Sequence, residues 1–273
     1  SRETVAAASD TASELAVRSP GELLVHFQTA RPGWSRLIAA ILILFTGMCA
    51  GRVTVRYNLY TVSTCLAIPL YGIVACGSAV GNNFLPAFAA SALLALAVKN
   101  FSRSFRNGYG FDTIFRASLY LGLLPLVSAS ALPLLLLLPL ALLLFRRTSR
   151  EATVALAGLL LPALTLCYVN WGAGGSLLAP MTALGERFLS GIPLGMFFSL
   201  PLPQLLLSGG IVLLDLLALL FFLSDIYAAG TKPRFILIFS SCTLAMTLLL
   251  LAGPAASRGD IALVAVPSAL LLP

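Results

Sequence analysis

Residues 117–145 read ASLYLGLLPLVSASALPLLLLLPLALLLF, a run of twenty-nine positions without a charge. A straight helix of that length would extend ~44 Å, well beyond the ~30 Å hydrocarbon core of a bilayer. Pro125 and Pro133 bracket Ser128 and Ser130 at its centre. Proline removes a backbone donor and clashes with the preceding turn, so one continuous helix is excluded. The run is expected to form two helices of roughly 14 residues, or ~21 Å each, folded back as a Pro-broken hairpin. Helices that short are re-entrant or thin the bilayer around them.

Apolar runs elsewhere carry the same signal. Hydrophobic residues make up 59% of the 273-residue chain and charged residues 10%, against ~25% charged in globular domains. Spans are expected at about 37–51, 59–78, 84–98, 153–170, 205–223 and 235–252, with a short apolar segment at 261–273. Whether 37–51 and 261–273 cross is left open by their length. The fold class is therefore all-α: a polytopic integral membrane protein with about eight or nine transmembrane or membrane-embedded helices. It divides into a soluble or interfacial arm, 1–33, and a single helical transmembrane domain, 34–273. No signal-peptide pattern is expected in 1–18, which carry acids and no apolar core. Ser19 and Pro20 are set to start a short amphipathic helix. The Gly- and Pro-rich loop 171–204 is expected to lay LLAPMTALGERFL along a surface.

With 117–145 as a hairpin, the loops 52–58, 99–116, 146–151 and 224–234 fall on one side. They hold eleven Lys or Arg against three acids, and the other side holds six of each. The positive-inside rule makes the first side cytoplasmic. The net charge of +7 is thereby read as juxtamembrane, not as nucleic-acid binding.

Asp215 is the intramembrane polar candidate. It lies within GGIVLLDLLALLFFL and has apolar neighbours for four positions before it and eight after. An aspartate at a helix centre costs ~2.5–3.5 kcal/mol on insertion scales, so it must face other helices or a wet cavity. Helix-to-helix hydrogen bonding and a site are both open readings, and the small Ser208, Gly209 and Gly210 would permit close packing nearby. In the outer loop, Glu186 and Arg187 set a carboxylate beside a cation that could bind a phosphate-linked headgroup, or form a solvated pair. Arg103, Arg106, Arg146, Arg147 and Arg150 are candidates for anionic or polyprenyl lipids, although orientation signals account for them equally. Trp171 reads as an interfacial anchor.

Other chemistries lack their residues. The five cysteines form no CxxC and read as small buried hydrophobes. His26 alone makes no His-based metal site, and no metal or cofactor is expected. Neither GxxxxGK[ST] nor HExxH occurs. Ser208 has no nearby base to make it a nucleophile.

RYNLYT opens the second span, and NNFLPAFAASALLALAVKN surrounds the third. FRASLYLGLLPLVSASALPLLLLLPLALLLFRRTSREATVALAGLLLPAL follows. Over about 52–165 these stretches resemble an integral inner-membrane protein family of Bacteroidota, a domain of unknown function. The likeness rests on the order: an Asn-led span, a basic loop, a proline-broken apolar run, an Arg-rich turn and another span. It implies a bacterial inner-membrane location and brings no catalytic residues.

The expected function is a non-enzymatic membrane subunit or scaffold in cell-envelope assembly, one that handles a lipid-linked precursor or another membrane protein. Two alternatives stand beside it. One is a membrane glycosyltransferase using a polyprenyl-phosphate sugar, with Glu186 or Asp260 as the outer-loop acid. The other is a small secondary transporter with Asp215 as its coupling site.

Overall fold

In a computed structural model, which describes residues 19–60, 65–78, 83–103, 110–224 and 231–273, all regular structure is helical. Five helices are long and apolar enough to cross a membrane: α2 (Pro32–Arg56), α4 (Phe84–Phe101), α7 (Ser149–Gly172), α10 (Leu202–Ser224) and α11 (Thr231–Ala252). Around them lie α1 (Pro20–Ala30), α3 (Ala67–Ser78), α5 (Phe111–Val127), α6 (Leu137–Leu144), α8 (Ala179–Leu189), α9 (Gly195–Ser199) and α12 (Ile261–Leu271). Residues 1–18, 79–82, Arg106 and Asp225 lie outside the described residues.

The helix starts follow local chemistry. Ser19 caps α1 and Thr148 caps α7, each in a reciprocal capping box with the glutamate three residues on, Glu22 and Glu151. The first long helix, expected at 37–51, extends over 25 residues. Pro32 suits its first turn, where no backbone donor is needed. The second is shorter than the expected 59–78. Among the described residues only Ala67–Ser78 is helical there, and Pro69 sits in the opening turn, where proline is tolerated.

The proline-broken run reverses direction at Ser128, whose backbone is extended (φ −137°, ψ 113°). α5 enters it, and a 3₁₀ segment (Ala129–Leu136) continued by α6 leaves it. Two contacts bring the ends of this excursion together. The Gly110 amide donates to Glu151 Oε1 at 3.0 Å, and Arg147 Nη2 donates to the Arg103 carbonyl at 3.0 Å. The described parts of the 99–116 and 146–151 loops therefore share one end of the helix body. α5 packs tightly on α7 because Gly122 has no side chain: a Cβ there would meet the Leu159 carbonyl oxygen at 2.3 Å.

α12 forms the centre. All eleven of its residues are buried, enclosed by α2, α3, α4, α10 and α11. At about 16 Å it is too short to cross, and its last carbonyls would be orphaned. The Tyr60 hydroxyl answers them, 2.7 Å from the Leu270 oxygen and 2.9 Å from that of Leu271.

Candidate functional site

At the end of the body opposite the basic loops, a cavity of about 970 Å³ opens beneath two amphipathic helices. Its walls come from α1, the start of α4, the end of α5, the end of α7, α8 and the turn before α12. The chain places them there by close approach. A Cβ on Gly21 would meet the Val127 carbonyl oxygen at 2.2 Å, so only glycine lets α1 cross the end of α5. Gln28 Oε1 accepts from the Leu85 amide at 3.1 Å, which pins α1 to the start of α4 and satisfies an orphan donor.

The lining is mixed. Val25, Pro86, Leu126, Leu166, Ala183 and Leu184 are apolar, while Glu22, His26, Asn170, Arg187 and Asp260 bring polar groups to the same space. Asn170 is buried and donates to the Ser176 carbonyl at 2.8 Å, which shapes the turn after α7. Glu22 uses both oxygens: Oε2 accepts from the Ser19 amide, and Oε1 pairs with Arg187 of α8. That ion pair joins the two amphipathic helices across the mouth of the cavity.

Asp260 is the buried acid of the site, 2% exposed. Its Oδ2 accepts from the Ser257 amide at 2.7 Å and the Ser257 hydroxyl at 2.9 Å, and its Oδ1 accepts from the Ser128 hydroxyl at 3.0 Å. Burial pushes this carboxyl above its ordinary value, while hydrogen bonds from Ser257, Ser130 and Ser128 pull the other way. It ties the reversal of the proline-broken run to the start of α12.

The residues singled out in the sequence are scattered over three places. Arg187 lines the cavity, but its carboxylate partner is Glu22 and not the neighbouring Glu186, which is exposed. Successive helical residues point ~100° apart, so adjacency in sequence did not make a pair. Asp215 lies away from the cavity. It is the buried residue of α10 and fully enclosed, with Oδ2 2.5 Å from the Ser268 hydroxyl of α12. Its Oδ1 has no hydrogen-bond partner among the described residues. Gly209 and Gly210 do not mediate close packing, since nothing lies within 4 Å of a Cβ placed on either.

Arg103, Arg146, Arg147 and Arg150 belong to the basic end. Arg103, Arg146 and Arg150 are exposed, and Arg147 lies 3.7 Å from Glu151. Burial lowers the Arg147 guanidinium from its ordinary value, and the Glu151 charge acts against that. Of the cysteines, Cys49 and Cys167 are buried, whereas Cys65 and Cys76 are exposed and not the buried hydrophobes expected. Sequence reasoning missed Glu22, Asn170 and the cavity role of His26. The Ser19–Glu22 spacing marked a cap, but only the fold reveals what else Glu22 meets. No family model, curated protein or solved structure matches the chain.

Proposed function

We propose that this chain is an integral membrane protein that holds an amphiphilic, lipid-linked ligand in the cavity beneath α1 and α8. It acts as a non-enzymatic subunit or scaffold in cell-envelope assembly. In this reading the basic end is cytoplasmic, and the membrane domain includes α3, α5 with α6, and α12 beside the five long helices. Membership of the Bacteroidota inner-membrane family fits the same picture.

The observation that carries the proposal is the mixed lining of the cavity. Apolar side chains together with Arg187, His26 and Asn170 around one space suit an amphiphile's chain and headgroup. Both carboxylates facing the space are already engaged, Glu22 by Ser19 and Arg187 and Asp260 by serines. That supports holding a ligand over acid–base chemistry. The exposed apolar surface of α10 supports a second contact, with lipid or another membrane protein.

The test is native mass spectrometry of the protein released from membranes in mild detergent. A bound phosphate-linked amphiphile is expected with the wild type and lost from Ala183→Trp, which fills the cavity. Release of both proteins free of any ligand contradicts the proposal.

The glycosyltransferase reading keeps one supporting observation: carboxylates do face this cavity. Its acid would be Glu22 or Asp260, since Glu186 points elsewhere. Transfer of a sugar from a polyprenyl-phosphate donor that Glu22→Gln abolishes would favour it. The transporter reading draws less support, because Asp215 does not line the cavity.

A further inference from the structure

At the basic end, a second and smaller cavity of about 210 Å³ lies between the ends of α2 and α4. Four cations line it: Arg52 and Arg56 from α2, Lys99 from the last turn of α4, and Arg103 just after that helix. Asn100 and Tyr57 complete its polar wall. Among the described residues, none of the four cations forms an ion pair with an acid and no acid lines the space. Among the described residues the Lys99 ammonium has only the Cys49 sulfur, at 3.7 Å, as a side-chain partner.

An orientation signal requires cations on one side of a membrane, not cations converging on one cavity. Arg52 and Arg56 stand four residues apart on α2, the spacing at which like charges destabilise a helix, and Lys99 in the last turn of α4 and Arg103 just beyond it add two more cations to the same space. The two helix C-termini offset this only in part, at about half a negative charge each against four full positive charges. An anion between them would relieve the repulsion.

A second observation states what kind of anion. A groove of about 520 Å³ adjoins the cavity and shares Arg52 and Arg56 with it. The rest of its lining, Met48, Gly51, Val55, Cys65 and Ile68, has no charge. The groove descends from the cations along α2 and α3, beside residues of an expected membrane span. We infer that this is a binding site for a phosphate-headed anionic lipid, its phosphate among Arg52, Arg56, Lys99 and Arg103 and its chain along Met48, Val55 and Ile68. The inference rests on the membrane-spanning reading above, but not on the ligand of the larger cavity.

The experiment uses the full chain in nanodiscs of phosphatidylcholine with phosphatidylglycerol. Recovery in nanodiscs reports membrane insertion separately. Lipids retained after release are counted by native mass spectrometry. Wild type should retain phosphatidylglycerol in preference to phosphatidylcholine. Arg56→Gln with Arg103→Gln should lower that retention about tenfold or more, the loss expected for charge-assisted contacts. Arg146→Gln with Arg150→Gln, at the same end but outside the cavity, should leave it unchanged. A matching melting profile confirms that the variants fold, and Arg52→Gln alone serves if the double variant does not. Equal retention by the cavity variant and wild type overturns the site, as does an equal loss in the control pair. Displacement by inorganic phosphate at concentrations comparable to the lipid's would overturn the lipid assignment and leave a site for soluble phosphate.

Discussion

The Ser268 hydroxyl, 2.5 Å from Asp215 Oδ2, fastens α10 to the buried centre of the molecule. α10 is exposed over most of its 23 residues, and Asp215 is its buried contact. Ser268 also lies 2.9 Å from the Val264 carbonyl of its own helix, so its hydroxyl has a partner whether or not Asp215 is present. Asp215 lacks such an alternative among the described residues, where Oδ1 has no partner.

That asymmetry makes a prediction. Ser268→Ala strands a buried carboxyl group and should destabilise the fold by about 1–3 kcal/mol. Asp215→Leu, which removes the polar group, should cost less, and combining the two should recover most of the Ser268→Ala loss. Chemical denaturation in detergent, together with protease cleavage near α10, reads the effect. Full stability in Ser268→Ala would show that this contact does not hold α10.

Tyr60 closes the inner end of α12. Tyr60→Phe removes the donor to Leu270 and Leu271 and leaves buried carbonyls unanswered, at a cost of about 1–3 kcal/mol. Hydrogen exchange at the last turn of α12 should rise with it. Unchanged protection there would mean that another group can take the place of the phenol.

Gly122→Val should disrupt the α5–α7 contact, since even a Cβ overlaps the Leu159 carbonyl. Overpacking of this kind costs typically about 1–3 kcal/mol. Loss of folded yield or a lowered melting temperature checks it, with Gly185→Ala, where nothing lies within 4 Å of the added Cβ, as the neutral comparison.

The Glu22–Arg187 pair should behave differently. Both side chains are substantially exposed (38% and 52%), so the pair contributes about 0–1 kcal/mol. Arg187→Gln is therefore expected to leave the melting temperature nearly unchanged while weakening retention of a ligand in the cavity. A large loss of stability would assign Arg187 a structural role instead.

Much of the helical organisation could be read from the chain because its signals are local. Hydropathy marked α4, α7, α10 and α11, Ser19 with Pro20 marked the start of α1, and Pro125 with Pro133 marked the reversal. α3 came out shorter than its apolar run, since hydropathy does not register where backbone hydrogen bonds begin. The sites were less legible, because they depend on contacts between distant segments. Glu22 meets Arg187 across 165 positions and Ser128 meets Asp260 across 132. Arg52 and Arg56 read only as flanking charges until α4 brings Lys99 and Arg103 beside them.

The most direct measurement of the central proposal is an electron cryo-microscopy map of the full chain in lipid nanodiscs. An elongated density is expected in the cavity between α1 and α8, with its polar end beside Arg187 and its tail toward Leu166. A cavity closed by collapse of α1 onto α8, or one holding only water, would contradict it.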